Sequence, residues 1–252
     1  MDNMQLNDSA PAMALDEHPF PSLVLSSAWV VAYIPIQQLF IAALVVAMTY
    51  THPDINLNNG MFANNGNLIF GGLILAAAPQ IFLMWLYLRR DHRARKLGLR
   101  DWGRLSISRT LCIAIGAIVL ASIFNALYAN IVLSGQPMQD EMTKLIASIP
   151  RTPLNIALII LAITVIAPII EELLFRGLLQ NALMRHLPAW GAILTTAFAF
   201  SVIHFQLIAM PALMALGAAF GYIYYKTGSL KTTIILHMAN NAFALVISQI
   251  LN

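Results

Sequence analysis

Charge is what this sequence has least of. Only 10% of its 252 residues are Asp, Glu, Lys or Arg, against roughly 25% in an ordinary soluble domain. A chain so poor in charge and 59% hydrophobic is not a water-soluble globule. Cysteine is nearly missing too: Cys112 stands alone, which excludes an internal disulfide and any cysteine-based metal cluster. The first twenty residues hold Asp2, Asp8, Asp16 and Glu17 but no Lys or Arg. They lack the basic start of a signal peptide, so residues 1–21 are expected to remain as a flexible cytoplasmic tail. The net charge of +3 is small and its basic residues cluster beside one span, which argues against a nucleic-acid partner.

What is present is a series of apolar runs of about 20 residues, the length that crosses a bilayer as a helix. In lipid every backbone polar group must be satisfied within its own segment, and these runs are too long and too uniformly apolar for barrel strands. The fold class expected is therefore all-α, a polytopic bundle of about seven to eight transmembrane helices. Spans are expected at about Ser22–Tyr50, Asn67–Leu88, Thr110–Ser134, Pro153–Leu187, Ala189–Ile208, Pro211–Tyr225 and Leu230–Leu251. Gln37 and Gln38 mark where a broken or re-entrant segment would lie, and residues 136–150 read as an amphipathic stretch at the interface. Residues 89–109 contain eight Lys or Arg. Such an excess is retained on the cytoplasmic side, and with seven spans it puts the amino terminus there too.

Against this background, I-I-E-E-L-L-F-R at residues 169–176 stands out. An acid inside a span costs a few kcal/mol on the most lenient scale and is functional by default. Spans four and five form a hairpin about Pro188, with Glu171 17 residues before it and His204 16 after, so the two are expected at one level. His237 and Asn241 lie at i and i+4 on one face of span seven. Glu172 and Arg176 have the same spacing, so the arginine is expected to pair with the second glutamate while the first points elsewhere. A lone histidine or asparagine in a span is more often a packing residue. Two acids, two histidines and an amide converging from three spans would be a costly way to pack helices. Peptide hydrolysis needs a base to activate water and donors for the oxyanion, and a buried carboxylate with imidazole and amide neighbours can supply them. The same residue types also bind zinc with one position open for water.

The ordered set E-E-x-x-x-R (Glu171, Glu172, Arg176), F-x-x-x-H (Phe200, His204) and H-x-x-x-N (His237, Asn241) resembles the CPBP family of intramembrane proteases. That family includes the type II CAAX prenyl endopeptidases and bacterial Abi or bacteriocin-processing proteins. The resemblance covers residues 153–252, which would form the protease-like core, with residues 22–152 as motif-free amino-terminal spans. It implies that Glu171 activates water, His204 helps hold the water, and His237 and Asn241 stabilise the oxyanion. Glu172 and Arg176 would support the site, with Phe200 beside them. In the family's metalloprotease description Glu171, His204 and His237 would hold zinc, although H-E-x-x-H is missing. The implied substrate is a membrane-associated or lipidated peptide, prenylated CAAX tails being the best-known case, reached through a cavity open to the cytoplasm. The implied partner is membrane lipid, and the chain's features suit a bacterial inner membrane. A non-catalytic immunity or scaffold protein is the competing expectation. A proton-coupled transporter is a third, disfavoured by the lack of an inverted repeat.

Overall fold

A computed structural model describes residues 21–51, 66–89, 93–134, 146 and 149–251. The amino-terminal tail, the polar loop after the first span and most of the 136–150 stretch lie outside the described residues. The described chain is all helix: α1 (Leu23–Thr51), α2 (Gly66–Leu88), a short α3 (Arg93–Lys96), α4 (Ile107–Ile131), α5 (Pro153–Leu183), α6 (Ala189–Val202), α7 (Met210–Thr227) and α8 (Leu230–Leu251). Five of these are long and apolar enough to cross a membrane, and α6 is a shorter apolar helix. The chain is an integral membrane protein. α1 runs unbroken through Pro35 and past Gln37 and Gln38, with Gln80 of α2 donating to Tyr33 O at 3.0 Å in the turn around the proline.

Helix starts follow local chemistry. Ser106 caps α4 by accepting from Arg109 N, and Thr152 caps α5 by accepting from Asn155 N, with Pro153 in the first turn where its missing N–H costs nothing. α7 ends at Gly228, whose φ of 66° is left-handed.

α5 is the axis of the bundle, touching α1, α2, α6, α7 and α8. It is not a uniform α-helix. Over Leu161–Ile166 and again over Glu172–Gln180 it widens to π geometry, with Ala167 N–H reaching Ala162 O five residues back. Pro168 accounts for the first widening. Its ring would clash with the carbonyl four residues earlier, and an extra residue in the preceding turn relieves that. α7 meets α5 and α6 through Gly217 and Gly221: a Cβ at Gly217 would lie 3.2 Å from Ala197 Cα, and one at Gly221 would lie 2.8 Å from Gln180 Oε1. Small residues at this spacing let helices approach closely in lipid.

The two ends of the bundle differ. At one end the basic loop is fastened to the α7–α8 turn. Arg104 N donates to Thr227 O at 2.8 Å, Lys231 N to Gly98 O at 3.2 Å and Thr232 Oγ1 to Trp102 O at 2.9 Å, while Lys231 Nζ lies 3.7 Å from the Trp102 ring centre. The end of α5 is there too, since Asn181 bonds to Tyr224 at 2.7 Å. At the other end Tyr128 OH, late in α4, donates to Ile208 O between α6 and α7 at 3.0 Å. Gly98 has φ of 69°, and a Cβ there would collide with Gly228 O. Gly98→Ala is therefore expected to lower the thermal unfolding midpoint in detergent by well more than the left-handed penalty of about 1–2 kcal/mol alone implies. Gly116→Ala, whose Cβ would meet nothing within 4 Å, is expected to leave it unchanged or raise it.

Candidate active site

The expected site residues lie on α5, on α6 and the turn after it, and on α8. Glu172 and Arg176 do form a buried ion pair: Arg176 Nη1 lies 2.9 Å from Glu172 Oε1, with neither side chain exposed. That nitrogen is not aligned as a hydrogen bond, so the contact holds by charge. Arg176 Nη2 donates to Gly217 O at 2.9 Å, and the guanidinium stands 4.8 Å from the Phe200 ring centre.

Glu172 does more than neutralise the arginine. Its Oε1 also lies 2.8 Å from His237 Nδ1. A carboxylate oxygen can only accept, so with Glu172 as a carboxylate His237 Nδ1 carries the proton and donates. The His237 ring is further held by stacking on Phe220 at 4.5 Å and by the edge of Phe200 at 6.3 Å. Its Nε2 faces Glu171 Oε2 at 3.8 Å, too far for a direct hydrogen bond. One imidazole is therefore flanked by both acids. Glu172 therefore serves both Arg176 and His237, and the two acids share a partner. Of the two, only Glu171 meets the pocket: 11% of its side chain is exposed against none of Glu172.

His204 was expected beside Glu171 within span five. α6 stops at Val202 and His204 lies in the turn beyond, its Nδ1 2.7 Å from Phe200 O. The carbonyl can only accept, so here too Nδ1–H donates and Nε2 is left free. Asn241, expected as an oxyanion donor, gives one Nδ2 hydrogen to Ile163 O at 3.1 Å, a carbonyl in the first wide turn of α5; the amide's other hydrogen is uncommitted.

Glu171, His237, Phe200, His204 and Asn241 line one cavity of about 540 Å³. Its other walls include Tyr33, Gln37 and Gln38 of α1 and Leu213 of α7. Sequence reasoning missed Tyr33, Phe220 and Gly217. The Gly217-x-x-x-Gly221 spacing on α7 was the signal available for the last. Among the described residues no group of three His, Cys, Asp or Glu is placed to hold a metal. Glu171, His204 and His237 therefore do not form a ready three-ligand site for zinc. Asn130 and Asn155 donate to carbonyls of their own segments, Ala126 and Pro150.

Residues 153–243 match the family described as Rce1-like, type II CAAX prenyl endopeptidase Rce1-like. Three curated proteins are similar. YdiL of Bacillus subtilis, whose name describes a membrane peptidase, is 24% identical over 150 residues, which is 59% of this chain and 60% of YdiL. An uncharacterized 24.3 kDa protein of Escherichia coli is 29% identical over 143 residues, 52% of this chain and 64% of that protein. The membrane-embedded CAAX protease MroQ of Staphylococcus aureus is 27% identical over 192 residues, 71% of this chain and 72% of MroQ. The chain thus spans less than two thirds of the length of the first two. No solved structure matches it.

Proposed function

We propose that this chain, whose residues 153–243 belong to the Rce1-like type II CAAX prenyl endopeptidase family, is an intramembrane endopeptidase in which Glu171 activates the attacking water. The observation that carries this is the acid-flanked imidazole: Glu172 fixes His237 as a ring whose Nε2 faces Glu171 across 3.8 Å. A water on the open side of that gap can donate one hydrogen to Glu171 Oε2 and the other to His237 Nε2. Both its protons are then held and its oxygen lone pair is directed into the pocket, at a substrate carbonyl. As the C–O bond forms, Glu171 takes a proton from the water, and the same acid returns it to the leaving amine when the C–N bond breaks. The uncommitted Asn241 N–H is the donor available to the tetrahedral oxyanion. His204 Nε2 is left to accept from a substrate N–H. Arg176 acts at one remove, by keeping Glu172 ionised and so keeping His237 in its tautomer.

The substrate is a peptide bond held at the membrane, in a lipidated or hydrophobic peptide, since the pocket walls are mostly aliphatic. The test is to incubate purified protein in detergent with a farnesylated CAAX reporter and a library of unlipidated hydrophobic peptides, and to map products by mass. Cleavage at a defined bond is expected, at a rate unchanged by a zinc chelator. No hydrolysis across the whole set would sink the proposal. A loss with chelator that added zinc restores would replace the two-acceptor account of the water by a metal one.

A further inference from the structure

A second cavity, of about 570 Å³, lies at the basic end of the bundle between α2, α3, α5 and α8, and it shares no lining residue with the cavity that holds Glu171. Its lining is of two kinds. Ile81, Met84, Leu88, Ile169, Leu173 and Ile234 make apolar walls, whereas Arg89, Arg95 and Arg100 bring three exposed cations. Among the described residues no acidic side chain lines it. The apolar span of α2 ends at Leu88, so Arg89 marks the level at which hydrocarbon gives way to headgroups. Trp85, also in the lining, is the kind of residue that sits at that boundary. Ile81 comes eight residues before Arg89, about 12 Å deeper by helical rise. The cavity therefore runs from headgroup level into the hydrocarbon layer.

The cations are held by the fold. Leu97 O accepts from Leu230 N at 3.3 Å, Gly98 O accepts from Lys231 N at 3.2 Å, and Leu99 N donates to Ala94 O at 3.1 Å, which fixes the turn carrying Arg95 and Arg100. Neighbouring arginines are committed to carbonyls: Arg93 Nη1 donates to Tyr87 O at 3.2 Å and Arg104 Nη2 to Tyr225 O at 3.1 Å. The side chains of Arg95 and Arg100 have no hydrogen-bond or ion-pair partner among the described residues, and Arg89 has the Trp85 ring at 5.1 Å. Cations without anions above an apolar shaft suit an amphiphile with an anionic head. We propose that this cavity binds one anionic phospholipid, its phosphodiester held by Arg89, Arg95 and Arg100 and an acyl chain laid along Ile81, Met84 and Leu173. A guanidinium pairs two phosphate oxygens at once, and basic pockets between membrane helices hold such headgroups. Loops rich in Lys and Arg are retained in the cytoplasm, so the lipid comes from the cytoplasmic leaflet. A free anion would use the arginines and leave the shaft unfilled. A zwitterionic lipid would fill the shaft but bring a cation of its own to the arginines. Ile169 and Leu173 bracket the acid pair along α5, so the bound chain braces the helix that carries Glu171 and Glu172.

The inference does not rest on the peptidase proposal, because what is measured is binding and not cleavage. The full chain, purified in an uncharged maltoside detergent, is titrated with dioleoyl phosphatidylglycerol, dioleoyl phosphatidylcholine or glycerol 3-phosphate. Native mass spectrometry counts bound lipid, and the unfolding midpoint is followed in parallel. Phosphatidylglycerol is expected to give a one-lipid adduct and to raise the midpoint by several degrees, while the other two at the same concentration do neither. Arg89→Gln, Arg95→Gln and Arg100→Gln are each expected to weaken the adduct roughly fivefold, and all three together about a hundredfold. The lipid-free midpoint should not move, since the three side chains are exposed. Lys226→Gln, at the same end but outside the cavity, should bind as the parent does. An equal effect from glycerol 3-phosphate would make this a free-anion site, and an equal effect from phosphatidylcholine would leave charge no role. A triple variant that binds phosphatidylglycerol like the parent, or a Lys226→Gln that loses as much as the triple, would put the lipid elsewhere on the basic surface. Any one of these results overturns the inference.

Discussion

Glu171→Gln is expected to abolish cleavage, lowering turnover by a factor of about 10³ or more while leaving the unfolding midpoint in detergent within a degree or two of the parent. The size follows from removing the base that takes the water's proton, an effect of roughly 10²–10⁴, together with a water that now meets a carboxamide instead of a second acceptor of full charge. The amide keeps nearly the same shape. Glu171 Oε2 lies 3.8 Å from His237 Nε2, beyond direct hydrogen-bond reach, so the fold has little to lose there. A Glu171→Gln protein that unfolds like the parent and still cleaves at the parental rate would rule out Glu171 as the base.

The largest effect on stability is expected at Arg176. Its side chain is fully buried, paired with Glu172 and bonded to Gly217 O, and it lies against Phe200 and Phe220. Arg176→Met keeps much of the volume but strands an ionised Glu172 with no cation beside it. Breaking a buried pair from one side costs about 3–5 kcal/mol, enough to lower the unfolding midpoint sharply and cut the yield of folded protein. Adding Glu172→Gln to Arg176→Met is expected to recover part of that loss, because the stranded charge goes with it. The double variant should nevertheless stay inactive, since a carboxamide no longer dictates which His237 nitrogen carries the proton. Single and double variants of equal stability would mean that charge at residue 172 is not what Arg176 serves.

Much of this site was legible in the sequence because the membrane makes polar residues conspicuous. Glu171, Glu172, Arg176, His204, His237 and Asn241 stood out from apolar runs, and periodicity was enough to put Glu172 under Arg176 and His237 on the face of Asn241. What could not be read was where the helices widen and where they end. α5 contains two π stretches and α6 ends before His204, where Phe205 adopts φ of 53°, so a constant rise of about 1.5 Å per residue describes neither arm of the hairpin. α7 was silent for a different reason. It contributes Gly217 O and the Phe220 ring, groups without charge, which a search for ionisable residues passes over.

The wide turns of α5 have a last consequence. An α-helix advances about 100° per residue, so an additional residue in a turn re-phases every side chain that follows. Because the acid pair lies between two such offsets, its bearing around the rod differs from the one a regular helix begun at Thr152 would give it, and the residues that dock at Asn181 are re-phased in turn.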